Sequence, residues 1–211
     1  MSEKNKRFKA IKIIALILLV ICIVGWLGYS TFLGPSITQN QDYLYVNTTD
    51  KYPDVLKKIE QQHIVKSIRL FDYAAKAMDY PKMIKPGRYK LTTEMSNRDL
   101  IGNLRGGYQE AVKFRFENLR HKENFAALLG KAFEADSAAF IAILNNQEVA
   151  LSYGFSQENF FSMFIPNTYE IYWNTSPDKI IARFKEEYDK FWTDERKHKA
   201  ADLSLTPQEV S

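Results

Sequence analysis

The densest aromatic stretch of the chain is NFFSMFIPNTYEIYWN, which covers residues 159–174. Aromatic side chains bury large apolar areas, so this density predicts either the core of a domain or the wall of a binding site. After the proline of the stretch, Asn167, Thr168 and Tyr169 predict a turn that side-chain hydrogen bonds stabilise. The stretch therefore marks the centre of a folded domain and its first candidate site.

The sequence on both sides of this stretch predicts the other elements of the same domain. Residues 111–116 place apolar side chains on one face and charged side chains on the other, which predicts a half-buried strand. Ser176 is a candidate helix cap. Apolar residues at spacings of three and four predict helices over residues 122–133, 137–144 and 177–192.

A second pattern occupies residues 43–107, where two short strands enclose two helices and a third helix follows. The strands are predicted over residues 43–46 and 87–91, and the helices over residues 52–62, 67–78 and 96–105. Helix caps are predicted at Thr49 or Asp50, at Ser67 and at Ser96. The mixture of short strands and helices gives the chain an α+β fold class.

An uncharged apolar run occupies residues 13–33. A helix of about 20 apolar residues crosses the hydrocarbon core of a bilayer. Clustered positive charge stays on the cytoplasmic side, so residues 1–12 are predicted to lie in the cytoplasm and the bulk of the chain outside the inner membrane. The basic residues before the run are Lys4, Lys6, Arg7, Lys9 and Lys12, against the single acidic residue Glu3.

A cleaved signal peptide is the competing interpretation of this run. Its apolar region is shorter, roughly 7–15 residues, and it ends in a small-x-small site that Gly28-Tyr29-Ser30 fits weakly. We therefore expect an uncleaved anchor that contacts membrane lipid through residues 13–33, followed by a polar spacer over residues 34–42. The one cysteine, Cys22, lies inside the apolar run, so no disulfide is expected in the exported part.

The charge of the chain is unevenly distributed. The chain has 29 Lys and Arg against 25 Asp and Glu, and removing the basic N-terminal segment leaves 24 of each sign. A neutral exported part argues against nucleic acid as a partner, because phosphate binding requires a basic face. His63, His121 and His198 are far apart and none has a second ligand at helical spacing, so no metal site is predicted.

Four blocks of sequence occur in an order that resembles the MltG-type, or YceG-like, endolytic murein transglycosylases. They are GRY at residues 87–89, MSNRDL at 95–100, LRGG at 104–107 and FIPNTY at 164–169. The resemblance extends from the anchor to Val210 and indicates the N-terminal portion of such an enzyme. It implies a LysM-like module over residues 43–107 and a partial mixed α/β catalytic domain over residues 108–211.

The resemblance also implies an activity. The family cleaves glycan strands between N-acetylmuramic acid and N-acetylglucosamine and leaves a 1,6-anhydro sugar end. One carboxylic acid protonates the glycosidic oxygen and then, as a carboxylate, takes the proton of the sugar hydroxyl, with no cofactor. The implied partners are the glycan strands of peptidoglycan and cell-wall synthesis proteins.

The glutamate that performs this chemistry in the family follows a Leu-Thr-x-x-Glu-Val segment. That segment is residues 205–210 here, and Thr206, Pro207 and Glu209 predict a capped helix start within it. The sequence ends at Ser211. The catalytic glutamate is therefore expected beyond Ser211, and we expect the chain to be truncated and inactive alone.

Two glutamates within the chain are weaker candidates for the acid. Glu170 follows the aromatic block and Glu117 ends the preceding predicted strand, where apolar surroundings would raise the pKa of either side chain. A solvated carboxylate is the alternative for both. Phe161 stands where many members have a glutamate, and it receives no catalytic role. The wall of the glycan cleft, with its aromatic members stacking on sugars, is predicted at Asn167, Thr168, Tyr169, Tyr172 and Trp173.

The alternative function is a complete, non-catalytic membrane-anchored protein that binds peptidoglycan through residues 43–107. An aminodeoxychorismate lyase label on some relatives implies pyridoxal phosphate chemistry. No lysine or phosphate cup is singled out for that cofactor, so no cofactor is predicted.

Overall fold

The computed structural model describes residues 3–38, 41–117 and 121–210, with the backbone alone for residues 3–10. These residues form α-helices and two antiparallel sheets of two strands each, which confirms the α+β class. Contacts divide the chain into two compact units, Met1–Gln109 and Glu110–Ser211.

The N-terminal unit starts with a long helix, α1 (Glu3–Phe32). Among the helices of the described residues, this one is long and apolar enough over Ile11–Phe32 to cross a membrane, and a signal sequence has the same properties. Its apolar side chains are exposed, with Ile14 at 57% and Leu27 at 53%. Their burial therefore requires an apolar environment outside the chain.

The remainder of this unit has the predicted order of strand, helix, helix, strand and helix. The elements are β1 (Tyr43–Val46), α2 (Tyr52–Gln61), α3 (Ile68–Ala77), β2 (Gly87–Lys90) and α4 (Asn97–Gly106), with a 3₁₀ turn at Tyr80–Lys82. β1 and β2 pair antiparallel, with Leu44 opposite Tyr89. Both side chains are fully buried in one core with the helix residues Ile59 and Phe71.

Of the helix caps predicted in this unit, those at Ser67 and Ser96 are confirmed and the one at Thr49 or Asp50 is wrong. The hydroxyls of Ser67 and Ser96 each accept the backbone N–H three residues further on. α2 begins after Lys51, whose N–H donates to the acidic side chain three residues on at 2.9 Å. The predicted cap at Thr49 or Asp50 is therefore incorrect, because the carboxylate of Asp50 accepts an N–H of the preceding turn instead.

The polar stretch predicted as a spacer over residues 34–42 is bound to this unit in its first part. Ile37 is 3% exposed and belongs to the core. The N–H groups of Ser36 and Thr38 donate to backbone carbonyls of the unit at 3.0 and 2.8 Å. Residues 39–40 lie outside the described residues. The prediction of a free spacer is wrong for this part, because Ile37 packs into the core and the N–H groups of Ser36 and Thr38 are hydrogen-bonded to the unit.

The last turn of α1 is fixed to the same unit by a buried hydrogen bond. The side-chain Nδ2 of Asn97 donates to the carbonyl of Thr31 at 2.7 Å. Asn97 and Thr31 are 2% and 6% exposed. The neighbouring Phe32 meets Tyr73 edge-on, with ring centroids 6.3 Å apart. The helix therefore continues into the packed part of the unit.

The C-terminal unit is mainly helical around one strand pair. Its elements are β3 (Val112–Arg115), α5 (Lys122–Ala132), α6 (Ser137–Leu144), α7 (Gln147–Ser152), a 3₁₀ turn (Phe160–Met163), β4 (Thr168–Ile171), α8 (Pro177–Phe191), α9 (Asp194–Asp202) and α10 (Pro207–Val210). The predicted strand and helices are present, and the predicted cap at Thr206 is confirmed by its hydrogen bonds with Glu209. Sequence reasoning missed α7, which begins after Asn146.

The predicted turn over Asn167, Thr168 and Tyr169 is corrected by β4. The chain is extended from Thr168 and pairs antiparallel with β3. Tyr169 and Ile171 are buried, while Thr168 and Glu170 are exposed. This alternation is that of a strand with one covered face.

Aromatic rings dominate the core of the C-terminal unit. Phe184 on α8 is fully buried. Its ring centroid lies 4.6 to 6.3 Å from those of five other rings, namely Phe114, Phe116, Phe125, Phe164 and Tyr169. Aromatic pairs at such distances add to the stabilisation from area burial. Much of the aromatic stretch at residues 159–174 is therefore core.

The close approach of α5 to the start of α6 predicts an effect of Gly130→Ala. A Cβ at Gly130 would lie 2.4 Å from the backbone nitrogen of Ser137. Overpacking against backbone costs about 1–3 kcal/mol, so the melting temperature of the full chain in detergent should fall in differential scanning fluorimetry.

The matched control is Gly102→Ala on α4, where a Cβ meets no atom within 4 Å. This exchange should stabilise its helix by about 0.5–1 kcal/mol, because alanine loses less backbone entropy than glycine. A Gly130→Ala variant that melts at or above the wild-type temperature would contradict the close packing of α5 and α6.

Candidate functional site

The candidate site is the strand pair β3–β4, whose two faces differ. Phe114 stands opposite Tyr169 on the covered face, and Lys113 stands opposite Glu170 on the exposed face. Side chains alternate between the faces of a strand, so aromatic residues pack inward while charged residues meet solvent. The outer face of β3–β4 is thus an open polar surface supported by an aromatic core.

Tyr169 lies on the covered side of this surface. It is 2% exposed, its ring stacks on Phe116 and meets Phe184 edge-on, and its hydroxyl donates to the carbonyl of Ile165. Burial raises the pKa of Tyr169 to about 12. The ring is therefore enclosed by the core and holds the loop before β4, and in this structure it presents no face to a sugar.

The other predicted binding residues are accessible to different degrees. Asn167 and Thr168 are exposed, and the Oδ1 of Asn167 accepts the N–H of Thr168 at 2.7 Å. Tyr172 is 53% exposed. Trp173 is half-buried and its carbonyl accepts the N–H of Glu134 at 2.9 Å. The structure thus brings Thr168, Glu170 and Tyr172 to the open face.

The apolar surroundings predicted for Glu170 and Glu117 are absent. The side chain of Glu170 is 68% exposed, and its Oε1 lies 4.0 Å from the Nζ of Lys113. The side chain of Glu117 is 86% exposed, and its Oε1 lies 3.6 Å from a guanidinium nitrogen of Arg115. Both carboxylates are therefore hydrated and face a cation across or along the strand pair, so the solvated alternative is the one observed.

Elsewhere among the described residues, the side chain of Asp50 is enclosed, with 11% exposure, but it forms an ion pair with Lys58. The buried polar residues within the described ranges are Thr31, Ser36, Ser96 and Asn97, and none is acidic. Hydrogen bonds from Lys190 and Arg183 hold the pKa of Glu187 below its usual value, which is the opposite of what a proton donor needs. In the same ranges no three His, Cys, Asp or Glu side chains converge as a metal site requires.

The N-terminal unit has a second surface of similar construction on the outer face of β1–β2. Tyr43 and Tyr45 lie side by side, with ring centroids 6.4 Å apart. The guanidinium carbon of Arg88, on the paired strand, lies 4.1 Å from the ring centroid of Tyr43. The opposite face of this sheet is buried. Aromatic rings and an arginine thus form a flat, partly exposed platform.

Sequence reasoning missed the pairing of Lys113 and Arg115 with β4. It assigned a turn to the residues that form the second strand, so β3 had no identified partner. The sequence signal for this strand was the alternation of polar and apolar residues from Thr168 to Ile171.

The comparison with protein families agrees with the resemblance stated above. A sequence model of the YceG-like family matches residues 44–211. The crystal structure of a putative yceG-like protein from Listeria monocytogenes has 13% sequence identity and a TM-score of 0.43, and the match covers 81% of this chain and 61% of that protein. The chain therefore spans less than two thirds of that protein's length. No curated protein matches the chain.

The burial of Tyr169 predicts a loss of stability at high pH. Its pKa rises from 10.0 to about 12 on folding, so above about pH 10 the unfolded chain loses a proton that the folded chain retains. The stabilisation is complete below pH 10 and falls as the pH approaches 12. Tyr169→Phe should remove this part of the alkaline loss.

At neutral pH the same exchange should cost about 1 kcal/mol, because the carbonyl of Ile165 loses its donor. Both effects are measured by thermal unfolding of the full chain in detergent across this pH range. The control is Tyr172→Phe, which alters the exposed tyrosine directly after β4 and should leave the stability at neutral pH unchanged. An unchanged alkaline loss in Tyr169→Phe would show that this phenol is not protected by folding.

Proposed function

Because the chain belongs to the YceG-like family, we propose that it is a membrane-anchored lytic transglycosylase that cuts peptidoglycan between N-acetylmuramic acid and N-acetylglucosamine. The observation that carries the proposal is the family match over residues 44–211. The family is generally that of the MltG lytic transglycosylases. The product is a glycan strand that ends in a 1,6-anhydro sugar.

We assign glycan binding to the outer face of β3–β4. The exposed ring of Tyr172 offers an apolar face for a sugar ring, with Trp173 beside it, and the polar side chains of Asn167 and Thr168 are accessible to sugar hydroxyls. Tyr169 supports the strand from the core, so it acts as a positioning residue. The cross-strand pair of Lys113 and Glu170 lies beside these groups and can exchange its salt bridge for bonds to a polar ligand.

Proton transfer needs a different environment from the one around these glutamates. The reaction requires a carboxylic acid that first gives its proton to the glycosidic oxygen. The resulting carboxylate then takes the proton of the sugar hydroxyl, so one enclosed carboxyl group can perform both steps. Glu170 and Glu117 are hydrated and charge-paired. We therefore assign the described residues to binding and orientation of the strand, and we do not assign the proton transfer to either glutamate.

The N-terminal unit contributes a second contact with the glycan. We propose that residues 43–107, which begin with the order strand, helix, helix, strand, act as a LysM-like module that binds peptidoglycan. α1 serves as the membrane anchor, with residues 1–12 in the cytoplasm and the part of the chain that follows α1 outside. This arrangement places binding close to the membrane surface, where cell-wall synthesis proteins work.

A second candidate function is a non-catalytic peptidoglycan-binding protein with the same anchor. One observation favours it, namely that none of the described acidic residues is buried. The two functions share the binding surfaces and differ in the cleavage of the strand.

Muropeptide analysis of a strain that lacks the gene separates the two functions. Loss of a lytic transglycosylase should lower the fraction of 1,6-anhydro ends and lengthen the glycan strands, as measured by mass spectrometry. Complementation with the Glu170→Gln variant, or with the Glu117→Gln variant, should restore the fraction of 1,6-anhydro ends. An unchanged fraction in the deletion strain would favour the non-catalytic binding protein. If the Glu170→Gln variant failed to restore this fraction while the Glu117→Gln variant restored it, Glu170 would be the catalytic acid.

Sacculus binding by the purified full chain tests the outer face of β3–β4. Tyr172→Ala should weaken binding at least about fivefold, because truncating an anchoring aromatic residue costs at least about 1 kcal/mol. The control is Leu151→Ala, which removes another apolar side chain with 60% exposure in the same unit. Equal binding by the two variants would remove Tyr172 from the proposed glycan surface.

A further inference from the structure

A cavity of about 230 Å³ lies in the N-terminal unit where α1 meets the residues that follow it. One side is the outer end of α1 and the other is the start of α3 together with the first residue of α4. The residues that line it include Trp26, Tyr29, Pro35, Ser36, Lys66 and Asn97. The cavity is thus built from the anchor and the folded unit together.

The charge of the cavity wall has one sign. Lys66 carries the formal charge among the described lining residues. Its Nζ donates to the carbonyl of Pro35 at 2.8 Å. An ammonium group has two further donors. Since the described residues that line the cavity include no Asp or Glu, the cavity favours an anionic group over a zwitterionic one.

Two side chains in the wall hold buried oxygens that lack a partner among the described residues. They are the Oδ1 of Asn97 and the Oγ of Ser36. Asn97 is 2% exposed, and its amide nitrogen is already bound to the carbonyl of Thr31. A buried acceptor without a donor is destabilising, so the site is completed by a ligand that brings hydroxyl donors as well as negative charge.

The position of the cavity along α1 identifies the kind of ligand. Trp26 and Tyr29 lie in the last two turns of the apolar helix and are 70% and 52% exposed. Tryptophan and tyrosine concentrate at the level of lipid headgroups, where one end of the side chain is apolar and the other is hydrated. A cavity beside these rings therefore opens at headgroup depth, on the side of the membrane where the folded unit lies.

We propose that this cavity binds the headgroup of an anionic phospholipid that carries hydroxyl groups, of the phosphatidylglycerol type. The phosphate pairs with Lys66, the glycerol hydroxyls supply donors to Asn97 and Ser36, and the acyl chains lie along α1. The cavity is smaller than the roughly 300–1,000 Å³ of sites for drug-sized ligands, which suits a headgroup better than a disaccharide. The inference rests on the proposed insertion of α1 in a membrane.

Native mass spectrometry of the full chain in detergent tests the site with two added lipids, phosphatidylglycerol and phosphatidylethanolamine. We expect the wild-type chain to retain phosphatidylglycerol preferentially. Lys66→Gln should reduce this retention about fivefold, which is the effect of one lysine on attraction to an anionic membrane lipid. The control is Lys57→Gln, which removes the same charge from an exposed residue that does not line the cavity.

The source of the phosphate is tested by adding soluble glycerol phosphate. Displacement of the lipid would show that the headgroup alone carries the binding, and no displacement would assign part of it to the acyl chains; both results support the site. Equal retention of the two lipids by the wild-type chain, or equal loss in Lys66→Gln and Lys57→Gln, would overturn the inference. If alkaline carbonate extracts the wild-type chain from the membrane fraction, both the proposed anchor and this inference are overturned. If the chain stays in the membrane fraction but shows no lipid preference, this inference alone is overturned.

Discussion

Each sheet in the described residues has two strands, and a two-stranded sheet is unstable in water unless helices cover one of its faces. In the N-terminal unit the covered face carries Leu44 and Tyr89, and in the C-terminal unit it carries Phe114 and Tyr169. The cores of both units are built on this requirement. It also leaves the second face of each pair open, and the proposed glycan surface of the C-terminal unit is centred on one of those faces.

The same constraint separates support from contact within the candidate site. Neighbouring residues on β4 have opposite environments: Tyr169 is enclosed by rings while Glu170 is hydrated and paired with Lys113. A carboxylate on such an open face is exposed to solvent and lies near the facing lysine. Its oxygens are therefore accessible to a polar ligand.

Much of the fold follows from local sequence, and the remainder depends on contacts between distant residues. The helices with strong apolar spacing and the serine caps at Ser67 and Ser96 were predictable, because those signals act within a few residues. β4 was missed, because Pro166 and Asn167 before it favour a turn and an alternation over only 4 residues is a weak signal until the pairing with β3 is known. The docking of Ile37 was missed for a similar reason, since a single apolar residue in a polar stretch shows its role only in the presence of the core that receives it. For the candidate site, the sequence identified Tyr172 as a candidate but could not separate it from the enclosed Tyr169, because both belong to the same aromatic block.

The fixation of the last turn of α1 by Asn97, together with the docking of Ser36 and Ile37, has a consequence for how the N-terminal unit moves. With α1 in a membrane, the unit has no slack at this junction, so it cannot swing out on a tether. It diffuses in two dimensions with the lipid around it, and the distance that it reaches from the membrane is set by its own height. For the function proposed above, this restricts binding to the layer of peptidoglycan nearest the membrane.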